Sequence, residues 1–297
     1  MLYPPTEIET PPRASRAPSG TMRARMQASA AALAILFVGS LLGCGKPPST
    51  DTITITGSST LAPLTADVAR HFESLHPQTR VDVQTGGSSR GLADVRRGLA
   101  DIGMVSRALT ASESDLHGYQ VAIDGICLIV HADNPIDELD RTQVQRIFTG
   151  DLQNWAQLGG ADGPITTVSK AEGRSTLEVF CAFFDLHPTA IDARVVIGDN
   201  QHGIKAVAAS PSAVGYVSIG AAEAAIRGGV PIRVPRFEGI EPSTEVLATG
   251  TYPIARSLHL VTAAEPSGNA RAFIDYYRSE TVTQLLERHY LVDVDPQ

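Results

Sequence analysis

Three cysteines in 297 residues are too few for a disulfide framework, and no C-x-x-C pair occurs among them, so a small stapled scaffold is excluded. Aromatic residues make up only 5% and charged residues 19% of the chain; the core must therefore be aliphatic, and a charge-rich disordered reading fails. Positive charge is short as well, with 24 Lys and Arg against 32 Asp and Glu and a formal net charge of −8. A nucleic-acid binder normally shows a basic face, so no nucleic-acid partner is expected. The eight His are scattered, none of them three or four residues from another, and no metal or cofactor is expected. What remains is an ordinary globular balance, 43% hydrophobic with 26 Gly and 19 Pro, long enough for two compact units at about 100–200 residues per domain.

The first fifty residues do not read as fold. Residues 1–21 are polar and Pro-rich; Met22-Arg23-Ala24-Arg25-Met26 is basic, and an uncharged run extends from Gln27 to Gly43. A positive segment before an apolar one is a secretory leader, and Met22 or Met26 reads as the true initiator. The run ends in Leu41-Leu42-Gly43-Cys44, which resembles a lipobox, where bacterial lipoproteins are cleaved and lipidated on the cysteine. A transmembrane anchor is the alternative, but the run is short against the ~20 residues that a span needs. Residues 1–43 carry four Arg and two Glu, so cleavage leaves 254 residues with a formal charge of −10, on a tether at 44–51.

Thr52-Ile53-Thr54-Ile55-Thr56 alternates as a strand, Gly57-Ser58-Ser59-Thr60 breaks it, and Leu61, Leu64, Val68, Phe72 and Leu75 recur at helical spacing up to Pro77. A second unit follows: Val81–Gln84 as strand, Gly86-Gly87-Ser88-Ser89 as loop, Leu92, Val95 and Leu99 as helix face, then Ala100–Val105 as strand. This alternation predicts parallel βαβ units and an α/β class. Val121–Val130 is long for a strand, and Tyr252–Val261 is a second long extended segment. Two such segments suit a chain that leaves one domain and returns, which puts a hinge at Ile123–Gly125 and Tyr252–Arg256. Between them the pattern predicts a helix over 141–148, strands over 165–169, 195–197 and 213–219, and helices from Leu177 and over 204–209; two helices close the chain.

Gly57–Thr60, Gly86–Ser89 and Gly173–Thr176 are each a strand-to-helix junction rich in small hydroxyl residues. A helix N-terminus exposes unpaired N–H groups and about half a positive charge, so hydroxyls there hold an oxyanion without a lysine cage. Plain N-capping explains any single junction. Strand carboxyl ends share one crevice in open α/β sheets, however, and converging junctions favour an anion site. Gly87-Ser88-Ser89-Arg90-Gly91 also matches a nucleophile elbow; Asp275 and His289 are in order for a hydrolase triad but fall in amphipathic helices rather than in loops after strands. Cys127 and Cys181 sit in apolar settings and read as core thiols, His131 as a structural residue, and Trp155 as a staple of its Gly-flanked turn.

Thr56–Leu64, Gly86–Gly91, Ala100–Arg107, Asp124-Gly125-Ile126, Ile147–Gly150 with Asn154-Trp155, Ala213–Val217 and Tyr252-Pro253 together resemble the phosphate-binding proteins of phosphate-specific ABC transporters. The match runs in order over about residues 52–292. The resemblance implies a type II periplasmic-binding-protein fold, two α/β lobes closing on one oxyanion, divided as 52–123, 124–254 and a return segment 255–297. It also implies an anion site at Ser59, Thr60 and Leu61, at Ser88 with Ser89, at Ser106 and Arg107, and at Arg174, Ser175 and Thr176. The last loop departs from the family pattern: Arg174 stands at the usual Ser and Ser175 at the usual Gly, with Lys170 near the usual basic position. Arg107 stands where some relatives have an aspartate that accepts the proton of hydrogen phosphate, which leaves Glu172 as the nearest substitute. The expected protein is a non-enzymatic, monomeric lipoprotein anchored through Cys44 on the periplasmic face of a bacterial membrane, delivering inorganic phosphate to an ABC permease. Another oxyanion such as sulfate or molybdate, or a phosphate sensor without transport, is the alternative.

Overall fold

Alternating Thr and Ile make β1 (Asp51–Gly57), since β-branched side chains suit a pleated surface and period two sends Ile53 and Ile55 to one face. The computed structural model describes residues 51–294. The leader, Cys44 and the tether up to residue 50 lie outside the described residues. Pro63 sits in the first turn of α1 (Ala62–Leu75), where its missing N–H costs no hydrogen bond. β2 (Thr79–Thr85) lies parallel to β1 on one side; α2 (Ser88–Arg96) then leads to β3 (Ile102–Val105), parallel on the other.

β4 (His117–His131) is a single strand of 15 residues. After it come β5 (Glu138–Leu139), α3 (Arg141–Phe148), β6 (Thr166–Lys170), α4 (Ser175–Phe183), β7 (Val195–Ile197), α5 (Asn200–Ala208), β8 (Ala213–Ser218) and α6 (Ile219–Arg227). Short β9 (Ile232–Arg233), β10 (Arg236–Phe237) and α7 (Thr244–Ala248) precede β11 (Ala255–Thr262), and α8 (Gly268–Tyr277) and α9 (Glu280–Arg288) close the chain. The strands join as β2-β1-β3-β11-β4-β8-β6-β7. β4 changes partner along its length: residues 117–125 pair antiparallel with β11, and Ile126–Val130 with β8.

The apolar core changes with the partner. Val121 and Ala122 pack with Ile55, Phe72, Leu258, Phe273 and Leu285 in one cluster, whereas Ile126–Val130 pack with Phe148, Phe180, Val214 and Tyr216 in another. Leu258 belongs to the first cluster and Ile254 to the second, so β4 and the start of β11 pass from one lobe to the other. The lobe around β1–β3 is called lobe one and that around β6–β8 lobe two. In lobe one the pleat alternates at β3, with Ile102 and Met104 facing α1 and Val105 facing Leu92 and Val95 of α2, which gives helices on both faces.

α5 starts at Asn200, four residues before the apolar signal at Ile204, because the Asp199 carboxylate caps it by accepting the His202 N–H at 2.8 Å. Tyr252–Ile254 lie before β11 rather than in it. The α6 helix, unmarked in the sequence pattern, is an Ala-rich run that buries Ile219, Gly220, Ala222 and Ala225. Cys127 and Cys181 are both free and buried; burial pushes both thiols up, that of Cys181 to about 11.

Candidate anion-binding site

Three helix N-termini meet between the lobes. Lobe one supplies Ser58, Ser59 and Thr60 before α1, Gly87 and Ser88 at α2, and Ser106 after β3; lobe two supplies Arg174, Ser175 and Thr176 at α4. Among the described residues no side chain caps the α2 and α4 ends, whereas Ser58 Oγ takes two N–H groups just before α1, and Asp140, Asp199 and Ser243 cap α3, α5 and α7. The first-turn N–H groups of Ser88, Ser175 and Thr176 therefore have no acceptor within their helices, and the three dipoles add their positive ends at one place. Free space in the pocket is only about 10 Å³, roughly enough for one water molecule.

The hydroxyls are set as donors by what they accept. Ser58 Oγ accepts the N–H groups of Thr60 and Leu61 at 3.1 and 3.4 Å and contacts Ser106 Oγ. Ser88 Oγ accepts the Ser106 N–H at 3.2 Å. Ser175 Oγ is buried with no hydrogen-bond partner. Arg174 is half-buried, and its guanidinium takes no acidic partner among the described residues. No carboxylate among the described residues lines the pocket. A buried hydroxyl without a partner costs about 1–3 kcal/mol, and an anion is the ligand that would satisfy Ser175 and Arg174 together.

Of the residues expected at the site, Ser59, Thr60, Ser88, Ser106, Arg174, Ser175 and Thr176 line this pocket, whereas Leu61, Ser89 and Arg107 do not. Leu61 is in the lobe-one core, and its amide is taken by Ser58. Ser89 bridges the lobes instead: its N–H donates to Gly173 O at 3.2 Å and its hydroxyl to Glu178 Oε1 at 3.4 Å. Arg107 lies outside this pocket and is paired with acids. Its Nη atoms bind both oxygens of Glu113 at 2.8 Å, Nη1 also donates to Ala108 O, and Nε binds Glu178 of lobe two. These bonds raise the Arg107 pKa, and Arg107 in turn holds the Glu113 carboxyl at about 2. Arg107 thus ties its own lobe to Glu178 of lobe two.

Glu172, the expected substitute proton acceptor, is exposed and does not line the pocket. Lys170 lies behind it, buried, with Nζ donating to Asn200 Oδ1 at 3.0 Å; burial and then the nearby Arg256 charge lower its pKa to about 7. The hydrolase triad is not assembled: His289 Nε2 pairs with Asp67 at 2.8 Å and Asp275 with Arg271. Sequence reasoning missed Ser58, which lines the pocket, and the buried Asp124–Arg256 pair that touches Thr60 and Thr176 of its lining. Ser58 carried an N-cap signal before Pro63; Asp124 and Arg256 carried a stronger one, since a charge inside an apolar strand has to find a partner.

Gly87 permits the closed arrangement. It has φ +94°, and a Cβ there would stand 2.5 Å from Gly173 O and 2.8 Å from Arg174 Cδ. A larger cavity of 470 Å³ shares Ser59 and Thr60 with the pocket; Ala62, Pro63, Ala66, Val83, Ala221 and Ala224 make much of its wall carbon, beside the polar Asp199, Asn200, Arg288 and His289.

A family model for a PBP superfamily domain matches residues 44–281. The phosphate-binding protein PstS of Bacillus subtilis is 30% identical over 249 residues, covering 80% of this chain and 79% of its own. Among solved structures, a putative phosphate ABC transporter substrate-binding protein with bound phosphate from Clostridium perfringens superposes with a TM-score of 0.77 at 26% identity, covering 82% of this chain and 100% of that one. An ABC-type phosphate transport receptor from Vibrio cholerae gives 0.67 at 29% identity, covering 81% and 99%.

Proposed function

Because the chain belongs to the PBP superfamily and, within it, to the phosphate-binding substrate-binding proteins of ABC transporters, we propose that it is a lipid-anchored, extracytoplasmic protein that captures inorganic phosphate and hands it to an ABC permease. The fold is of the type II periplasmic-binding-protein class. One observation carries the ligand reading: Arg174 and the buried Ser175 hydroxyl, both without partners among the described residues, face a carboxylate-free pocket under three helix ends, two of them uncapped. The body charge of −10 after cleavage does not attract an anion from afar, so affinity comes from these local groups inside a closed cleft.

Capture works by lobe closure. Lobe one runs over 52–123 and 255–297 and lobe two over 124–254, with the hinge at Ile123–Gly125 and Tyr252–Arg256. Phosphate enters while the lobes are parted; α4 then brings Arg174, Ser175 and Thr176 against it, and the bonds of Arg107 and Ser89 to Glu178 and Gly173 shut the mouth. Cys44 anchors the monomer by its lipid to the periplasmic face of the membrane. Ser89 is no nucleophile in this reading, since Glu178 rather than a histidine takes its hydroxyl.

The lack of a carboxylate in the pocket supports a second ligand reading. Hydrogen phosphate brings a proton that needs an acceptor and sulfate brings none, so a donor-rich wall does not by itself reject sulfate. Isothermal titration of residues 46–297 with phosphate, sulfate, molybdate and arsenate tests both. Phosphate is expected to bind one to one and tightest. Tighter binding of sulfate or molybdate would move the assignment to that anion, and no heat with any of the four would remove the anion reading.

A further inference from the structure

Asp124 and Arg256 face each other across β4 and β11 as register partners, at the point where β4 leaves β11 for β8. Their side chains are 0% and 1% exposed. Arg256 Nε and Nη2 bind Asp124 Oδ2 at 3.0 and 2.7 Å, and the other Asp124 oxygen accepts the Ser218 hydroxyl at 2.8 Å. A buried ion pair seldom stabilises a fold more than apolar residues of the same size. A pair buried at the lobe crossing calls for another role, and the rest of the guanidinium supplies it. Arg256 Nη2 donates to Thr60 Oγ1 of lobe one at 3.1 Å, and Nη1 donates to Thr176 Oγ1 of lobe two at 2.9 Å.

A hydroxyl has two lone pairs and one proton. Thr60 Oγ1 accepts from Arg256 and also from Asn200 Nδ2 at 3.2 Å, so both lone pairs are used and its proton must be given elsewhere. The Asn200 amide is set in this sense, with Oδ1 accepting from Lys170 Nζ and Nδ2 left to donate to Thr60. Thr60 and Thr176 both line the anion pocket. We propose that Arg256, held in place by Asp124, is a positioning residue that orients one hydroxyl of each lobe toward the bound anion: Thr60, whose lone pairs are both taken, as a fixed proton donor, and Thr176, which accepts one bond from Arg256. Because the two hydroxyls belong to opposite lobes, Arg256 holds both only when the lobes are shut, and it links closure to donor geometry. This rests on the anion reading given above.

The test is a double-mutant cycle read by phosphate titration, with thermal melting as a control. Arg256→Lys keeps a cation beside Asp124 but loses the planar fork that reaches both threonines. Thr60→Val is expected to weaken phosphate binding about tenfold in the wild-type background and less than twofold in the Arg256→Lys background. Asn200→Ala leaves Arg256 in place and frees one lone pair of Thr60, so it should weaken binding about three- to tenfold, with a lower melting temperature because Lys170 Nζ loses its acceptor; this arm stands if Arg256→Lys does not fold. Equal losses for Thr60→Val in both backgrounds, or full affinity in Asn200→Ala, would overturn the proposal while leaving phosphate binding intact. A wild-type chain that binds no phosphate would remove the anion reading itself, so the two failures are distinct.

Discussion

Arg107 and Arg174 look alike in the sequence, one arginine per lobe beside a hydroxyl cluster, yet the structure separates what their loss should do. Arg174 is half-buried in the pocket with no acidic partner among the described residues. Truncation to Ala removes one or two bonds to the anion and leaves no carboxylate unpaired. A hydrogen bond to a charged group is worth about 1.5–3 kcal/mol, so one lost bond should weaken phosphate binding by roughly 10- to 150-fold at constant salt. The melting temperature of the ligand-free protein should stay within a degree or two.

Arg107→Ala behaves differently because two glutamates depend on it. Glu113, held at about 2 mainly by the Arg107 hydrogen bonds, would relax toward its usual 4.5, a loss of about 2–3 kcal/mol and of several degrees in melting temperature. Its folded-state pKa is depressed, so this stability is present in full above pH 4.5 and fades as the pH falls toward 2. The difference between Arg107→Ala and wild type should therefore shrink in acid. Glu178 would lose its cross-lobe partner, and phosphate should dissociate faster. Titration calorimetry, melting curves and stopped-flow release on both variants decide the matter. If Arg174→Ala binds within twofold of wild type while Arg107→Ala loses affinity at an unchanged melting temperature, Arg107 is the ligand and the latch is wrong.

Gly87→Ala puts a methyl group against the Gly173 carbonyl at a left-handed backbone position, so it should hold the lobes apart and weaken phosphate at least tenfold; unchanged affinity would show that closure tolerates a side chain there. Lys170 has its folded-state pKa lowered to about 7, below its unfolded value, so it destabilises the fold in full below pH 7 and less as pH rises toward 10.5. Lys170→Met should accordingly gain stability over wild type at pH 6 and lose that gain by pH 10, by on the order of 5 kcal/mol at most, and a gain independent of pH would refute the assignment. Cys44→Ser should move the protein from the membrane fraction to the soluble or unprocessed pool, and unchanged partition with normal processing would sink the lipid anchor.

The parts of the fold that were legible in the sequence are those where one local rule acts alone. Alternating Thr and Ile marked β1, helical spacing marked α1, and the length of the Val121–Val130 run marked the strand that crosses between cores. α6 was hidden because its Ala-rich sequence carries little periodic contrast, and the start of α5 because capping by Asp199 rather than burial sets it. Seven of the ten expected anion residues line the pocket for a similar reason. A helix N-terminus is a local feature, and three of them lie at strand ends that any open α/β sheet directs to one crevice.

What the sequence conceals is which cation remains unpaired, because that depends on partners far along the chain. Arg107 lies next to Ser106 and is spoken for by Glu113 and, from 71 residues away, by Glu178. Arg256 is 132 residues from Asp124 and reaches the site only through two hydroxyls. Lys170 is buried without an acid in hydrogen-bond contact and is driven toward neutrality. Among the described residues four cationic side chains thus gather near one pocket, two of them paired with carboxylates and one, Lys170, with its pKa lowered to about 7, and Arg174 alone of these brings an uncompensated fixed charge to its wall. The selectivity of such a site rests on the direction of its hydroxyl protons more than on net charge, and for that reason Thr60 and Thr176, rather than a further arginine, are where a change of ligand preference should first appear.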